Sequence, residues 1–276
     1  MSQSIDQAFI KQYEGEVHAA YQRMGSTLRN FVRVSTKTPG ADITFQKVGK
    51  GVAGQKTRNG DVPLMNVDHS SVTCTLTDYY AGDYVDKLDQ LKTNIDERKV
   101  TVEAGAYALG RKTDELIVAK LDSATGGGAG TANLSTLTLD DMIGLVTNLG
   151  GRDVPMDGNV YACVTWNVWR KMLSFQEFTN SQWVGPDQLP FKTQLQAKFW
   201  AGALWTPFSG LTVASSVSKN YAFHRSAIGH GIGSEIVSDV TWQGTKAAWF
   251  VNNMMSQGAV LIDDNGVERL TVTENA

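Results

Sequence analysis

Apolar residues near the start of the chain recur every three or four positions. Ile5, Phe9, Tyr13, Val17, Tyr21, Met24, Leu28 and Phe31 share one face, which predicts an amphipathic helix over 4–31. Ser4 and Gln7 have capping-box spacing, and Gly25 is a weak point near which the helix should end. An unbroken stripe at a chain end suits an arm packed on neighbouring subunits better than a helix packed on its own core. A longer helical pattern covers 93–123. Val102, Ala106, Leu109, Leu116 and Leu121 form its stripe, Ile117 widens it, and Arg111 and Glu115 are spaced i,i+4. This exceeds the usual helix length of about 10–14 residues.

Between these helices the period changes to that of strands. "DITFQKVG" and "SSVTCTLTDYY" are β-rich and flank "KGVAGQKTRNGDVPLMNVDH", which holds three glycines and little to fill a core. The pattern predicts a long hairpin with a projecting tip. A loop of that length is uncommon unless it has a job or is disordered.

After the long helix, "ATGGGAGTAN" breaks the pattern as a link. Residues 138–214 then alternate. "TLDDMIGLVTNLG" is a helix opened by Thr138 or Asp140 and closed by Gly150, "NVYACVTW" is a strand, and "NVWRKML" starts another helix. "FKTQLQAKFWAGA" reads as helical, and "WTPFSGLTVASSV" as strand and turn. All seven tryptophans follow residue 165, which supports a boundary near the glycine run. In "YAFHRSAIGHGIGSE", "YAFHR" reads as a strand and "SAIGHG" as a short helix or turn before a return strand. Strands "IVSDVTW", "AAWFVNNMM", "AVLID" and "VERLTVT" follow, with Asp263–Gly266 expected as a hairpin turn between the last two.

Composition narrows the function. The chain has 276 residues, 42% hydrophobic and 19% charged, with a formal charge of −3. That describes a folded protein without the basic field of a nucleic-acid binder. Two distant cysteines, Cys74 and Cys163, suit a reducing compartment. No basic start precedes an apolar run and no membrane-length apolar stretch occurs, so neither a signal peptide nor a membrane partner is expected.

Candidate chemistry fails on its own requirements. "TGGGAGT" lacks the lysine that a phosphate loop needs to reach the terminal phosphates. "GHGIGSE" has GxGxG spacing and no helix after it, so it is not a dinucleotide fingerprint; its glycines suit close backbone approach. His18, His69, His224 and His230 lack the spacing of metal ligands. Cys163 lies within the apolar run "VYACV", where a thiol is inert. No catalytic residue, cofactor or metal site is expected.

One charge pattern remains. The hairpin carries Lys47, Lys50, Lys56 and Arg58 against Asp61. The following stretch, 78–97, carries Asp78, Asp83, Asp86, Asp89, Asp96 and Glu97, offset by Lys87 and Lys92. If the basic tip of one copy meets the acidic stretch of another, the contact is heterologous, the kind that builds rings and shells.

The order of these pieces resembles the major capsid proteins of tailed bacteriophages, which share the Johnson (HK-97-like) fold. "SIDQAFIKQYEGEVHAAYQRMGSTLRNFVR", "TFQKVGKG", "VPLMNVDHSSVTCTLTDYYAGDYVDKLDQLK" and "AGAYALGRKTDELI" carry the resemblance, which covers nearly the whole chain. It implies an α+β fold with an N-arm over 1–38, packed through Phe9, Tyr13, Val17 and Tyr21. An extended E-loop would follow over 39–78, then a peripheral P-domain with its spine helix over 79–135. An axial A-domain would occupy 136–235, and P-domain return strands 236–276. Copies would form hexamers and pentamers of an icosahedral shell around double-stranded DNA, bound without sequence specificity. A separate scaffolding protein and a portal would be partners, with assembly in the host bacterial cytoplasm and residence in the virion. Some members crosslink E-loop lysines to a neighbour's asparagines; Lys47, Lys50 and Lys56, with Asn252 and Asn253, are residues of those types. The alternative of the same fold is an encapsulin-like nanocompartment that stores cargo.

Overall fold

The computed structural model describes residues 23–36, 40–88, 97–125, 127–128, 130–179 and 197–274. The chain divides into two compact units. The smaller comprises Met1–Ser26, Asp78–Lys112 and Ser234–Ser256; the larger comprises Thr27–Thr77, Thr113–Gly233 and Gln257–Ala276.

The larger unit is organised by a seven-stranded sheet. Its strands are β5 (Gly130–Asn133), β6 (Val160–Val164), β7 (Lys198–Trp200), β8 (Ala203–Pro207), β9 (Val213–Ala214), β10 (Val217–His224) and β13 (Val267–Thr273). They run in the order β5-β13-β10-β6-β8-β7, with β9 paired to β10. Both faces are buried, which follows from strands apolar on both sides. Val160, Ala162 and Val164 of β6 enter one core cluster, while Cys163 between them enters another. Neighbouring β10 does the same, with Ala222 on the first face and Tyr221 and Phe223 on the second.

Helices cover the two faces. The first is capped by α2 (Leu139–Gly151) and α3 (Trp166–Met172), through Met142, Leu145, Leu149, Val168 and Trp169. Thr138 opens α2 with a reciprocal capping box to Asp141, and Thr165 caps α3. The short α4 (Gln176–Thr179) adds Phe178. The second face is covered by Ile117, Val118 and Leu121 from the end of the long helix α1 (Glu97–Asp122), with Leu28 and Val32. Buried Asp114 of α1 accepts the backbone N–H of Thr27 (3.1 Å) and of Leu28 (3.0 Å), fixing the 3₁₀ turn Leu28–Phe31.

Asp122 closes α1 with a second polar anchor. It accepts hydrogen bonds from Thr212, Tyr221 and Lys219. Burial alone would raise its carboxyl pKa, but the hydrogen bonds from Thr212 and Tyr221 and the Lys219 charge outweigh it and hold the pKa below the ordinary value.

β4 (Thr77–Asp86) lies beside β12 (Ala248–Leu261), which lies beside β11 (Ile228–Gln243), and the smaller unit takes in these strands over 78–86, 248–256 and 234–243. Aromatic rings and cations interleave on them. Tyr84 packs on Phe250 (4.8 Å between centroids) and Trp242 on Trp249 (5.3 Å). Lys246 lies 3.8 Å over Tyr84, Arg98 5.3 Å over Trp249 and Lys87 5.7 Å over Trp242.

Several expectations are corrected. Leu28–Phe31, placed at the end of the predicted stripe, is a 3₁₀ turn that follows Gly25 at φ 72°, and residues 1–22 lie outside the described residues. Lys198–Trp200, expected to be helical, is a strand that hairpins with β8. Gly130–Asn133, taken as part of a link, is a strand parallel to β13. Gly229 and Gly231 belong to β11 rather than to a turn, and the 3₁₀ segment is only Arg225–Ala227. Asp263–Gly266 is not a hairpin turn: it passes the chain from β12 in one sheet to β13 in another. "AAWFVNNMM" and "AVLID" are mostly one continuous strand, β12.

The depressed Asp122 pKa has a sign. Its stabilisation is complete above the unfolded carboxyl value, about 3.9, and is lost as pH falls through the lower folded value. Asp122→Asn should therefore lower the denaturant midpoint at pH 7 and narrow the gap between the pH 7 and pH 3 midpoints. An unchanged gap would show that the anchor carries no acid sensitivity.

Candidate functional site: a seated hairpin with an exposed tip

Strands β2 (Asp42–Val48) and β3 (His69–Thr75) pair antiparallel from Asp42↔Thr75 to Val48↔His69. Alternation along them puts Ile43, Phe45 and Cys74 on one face, buried with Ile262 and packed against Leu76 and Val260. Part of that face rests directly on glycine backbone. A β-carbon on Gly229 would lie 2.8 Å from Phe45, and one on Gly231 would lie 3.1 Å from Ile43. On Gly258 it would collide with the carbonyl oxygen of Thr75. The glycines of "GHG" thus form a bed for the root of the hairpin. β1 (Arg33–Thr36) runs parallel to the same stretch, with Arg33↔Gly229 to Thr36↔Ile232.

Two of the histidines have hydrogen-bond partners within the chain. His230 is fully buried, with Nε2 3.0 Å from the Gln257 side-chain oxygen, which also accepts the Thr113 hydroxyl (2.7 Å). His224 Nε2 lies 3.1 Å from Asp157, and its Nδ1 accepts the Ser226 N–H. Asp157 is held down at about 2, first by the Asn159 side chain, then by the Asn159 N–H and His224. Burial, with Asp114 nearby, pushes the Cys163 thiol up to about 12, so it is no nucleophile. Burial also raises the Cys74 thiol pKa. Among the described residues no group of His, Cys, Asp and Glu is arranged to hold a metal, and no helix is long and apolar enough to cross a membrane.

Beyond its root the hairpin is exposed from Gly49 to Asn59 and from Asp61 to Asn66. The four basic residues differ in their surroundings. Lys47 pairs with Asp263 (3.0 Å) and Lys50 with Asp153 (2.7 Å), both within this chain. Lys56 and Arg58 are exposed with no carboxylate partner among the described residues. The tip also presents Val52 (79% exposed), Val62, Leu64 (83%) and Met65, which the charge pattern alone did not single out. The signal of Val62, Leu64 and Met65 in the sequence is "DVPLM", an apolar run inside a loop too glycine-rich to bury it.

The acidic set lies on β4. Asp78, Asp83 and Asp86 are exposed, and Asp83 and Asp86 accept the nearby backbone N–H of Tyr84 and Leu88. Asp89 lies outside the described residues, as do Phe9, Tyr13, Val17 and Tyr21. The hairpin belongs to the larger unit and the acidic strand to the smaller, apart from Thr77. Asn253 is buried, takes the Ser238 hydroxyl and donates to the Ala81 carbonyl (3.4 Å), so its amide is closed to a neighbour's lysine in this conformation.

A family model described as phage capsid protein matches residues 5–274. Solved structures agree on the fold. The capsid of the cyanophage P-SCSP1u superimposes with a TM-score of 0.78 at 13% identity, covering 100% of this chain and 96% of that one. A structure from Mycobacterium phage Che8 gives 0.73 at 15% identity, covering 95% and 97%. The capsid of Ralstonia phage GP4 gives 0.71 at 13%, covering 98% and 96%. No curated protein matches the chain in sequence.

The glycine bed is testable. Gly258→Ala should cost about 1–3 kcal/mol by overpacking and should raise proteolytic cutting between residues 41 and 76. Gly144→Ala, where a β-carbon meets nothing within 4 Å in α2, should leave both unchanged or slightly improved. Equal behaviour of the two variants would remove the bed as the seat of the hairpin.

Proposed function

The chain belongs to the phage capsid protein family, and from that premise we propose that it is the major capsid subunit of an icosahedral shell enclosing phage double-stranded DNA, with no enzymatic role. The observation that carries this reading is the exposed hairpin tip. Val52, Val62, Leu64 and Met65 present apolar surface on the same tip as the exposed Lys56 and Arg58, on a root held rigidly by packing. Such a surface is a site of protein contact. In a shell a neighbouring copy covers it.

Residues 39–78 then act as the E-loop, α1 as the spine of the P-domain and 136–235 as the A-domain. The exposed carboxylates of Asp78, Asp83 and Asp86, with Asp89, are the complement on the neighbour. Charge of this kind steers and registers a contact more than it strengthens it. Lys47 and Lys50 already hold acids of their own chain, so Lys56 and Arg58 carry most of the charge to the neighbour. A net charge of −3 suits a wall that contains packed DNA without gripping it. A separate scaffolding protein and a portal complete the assembly, which takes place in the host cytoplasm. Phage capsids among the matched folds favour a genome shell over a cargo compartment.

Two measurements test this. Negative-stain images of the expressed full-length chain should show closed shells or tubes; subunits that stay monomeric by light scattering at high concentration, with or without a scaffold, would sink the reading. Reversing Lys56 and Arg58 to Glu should cut particle yield about tenfold or more, because about 1.4 kcal/mol is a tenfold change in each contact's equilibrium and a shell repeats the contact. The variant subunit should keep its circular dichroism spectrum. Normal particle yield would remove the charge-register idea while leaving the shell intact.

A further inference from the structure

The start of β1, the residue before β6 and the turn after β10 meet at a cavity of about 270 Å³, lined by Arg33, Val34, Asn159, His224, Arg225 and Ser226. All six belong to the larger unit. The volume lies just below the range of about 300–1,000 Å³ usual for drug-sized ligands, so it suits a small ion. Arg33, Arg225 and Ser226 are exposed, which opens the cavity to solvent, while His224 is buried and makes a fixed wall. Two arginines and no carboxylate line it. Lys47, Lys50, Arg152 and Lys219 each hold an acid of this chain. Arg33 and Arg225 have no carboxylate partner among the described residues.

Both are held in place by other means. Arg225 donates its backbone N–H to the Asn159 carbonyl (3.0 Å) and its Nε–H to the Val32 carbonyl (3.4 Å), so its two terminal nitrogens stay available. Arg33 pairs in β1 opposite Gly229, and its guanidinium lies 5.6 Å over the buried ring of Phe45. Asp157, the acid close in sequence to Asn159, is engaged elsewhere. It accepts the Asn159 N–H (3.0 Å) and lies 3.1 Å from His224 Nε2. With Nε2–H given to Asp157, His224 Nδ1 accepts the Ser226 N–H (3.3 Å) and lies 2.7 Å from its hydroxyl. The turn thus satisfies itself, and the two guanidinium groups are the charged donors that line the cavity.

We propose that this cavity is a phosphate site, held by the guanidinium groups of Arg33 and Arg225. The planar fork of arginine offers phosphate oxygens paired N–H donors. Two cations in one small cavity repel each other, and an anion between them relieves the repulsion. A cavity lined by one sign of charge also focuses its field on the ligand. A terminal phosphate carries about −1.5 to −2 at pH 7, which balances two guanidinium charges, where a carboxylate would leave one over. Free phosphate and the backbone of a nucleic acid present the same oxygens. The site is a property of the single subunit and does not rest on the shell reading.

Phosphorus NMR titration of free full-length subunits tests it. Inorganic phosphate should bind the wild-type chain saturably. Arg33→Gln and Arg225→Gln should each weaken binding about tenfold, which is about 1.4 kcal/mol, and the double variant should weaken it further, with circular dichroism unchanged. Lys99→Gln/Arg170→Gln removes the same charge at two other exposed positions and should bind as the wild type does. In the wild-type chain, phosphate should shift the backbone amide signals of Arg33, Arg225 and Ser226, a readout that needs no variant. A short DNA duplex at matched phosphate concentration separates the sources. Displacement of inorganic phosphate by the duplex assigns the site to a nucleic-acid backbone, and no displacement assigns it to free phosphate. Absence of saturable phosphate binding to the wild-type chain overturns the inference. So does an arginine double variant that binds like wild type, or a Lys99→Gln/Arg170→Gln variant that loses as much. Shifts confined to other residues overturn it too, and they decide the matter if the arginine variants do not fold. None of these outcomes touches the shell reading, and a chain that never assembles leaves this test intact.

Discussion

The contact on which the described structure depends most is the one between the hairpin root and a strip of bare backbone. Ile43, Phe45 and Cys74 pack against Ile262 and Val260 and against glycines where a β-carbon would crowd them. Burying a large apolar side chain contributes about 1.5–3 kcal/mol, so the two larger ones and the thiol hold the base of a long exposed loop. Because interiors pack at crystal density, that base is stiff. The tip gains its direction from the root, and an exposed loop of this length acquires a defined course without a core of its own.

The seven-stranded sheet follows another rule, that both faces need a cover. Alternation on β6 and β10 sends one set of side chains to α2 and α3 and the other to α1 and the Leu28 turn. Polar anchors then set where the covering segments start and stop. Asp114 holds the entry to the Leu28 turn, and Asp122 holds the exit from α1. Asp114 is buried and Asp122 half-buried, and both are satisfied by several donors, which is the condition under which an acid taken from water is tolerated.

Much of this was legible in the chain, and the failures share a cause. The long helix was readable because its apolar period is sustained, and β6 because "VYACV" is apolar on both faces. The hairpin was readable from turn residues between two β-rich runs. "DDNG" misled because turn chemistry is local, while the sheet that the next strand joins is decided by distant partners, β5 and β10. Lys198–Trp200 misled because a three-residue strand has no period, and its turn uses Ala201 at φ 49°, a residue that advertises no such conformation. At the site, the basic tip was evident, but the capture of Lys47 by Asp263 joins residues far apart in the chain, and no spacing rule reaches that far. The glycines of "GHG" were legible as a place of close approach, but what approaches was not, because the volume they make room for belongs to residues near 45 and 74.

The pair between Lys50 and Asp153 has a consequence for how a free subunit keeps itself. Both side chains are more than three-quarters exposed. A pair in that setting is worth about 0–1 kcal/mol and fades within a Debye length of about 8 Å at physiological salt. It works as a light latch. It occupies a lysine on the tip while the subunit is alone, and it lets go at almost no cost when another surface offers more. Ionic strength therefore acts on the readiness of the loop as well as on the attraction between subunits, and the two effects oppose each other.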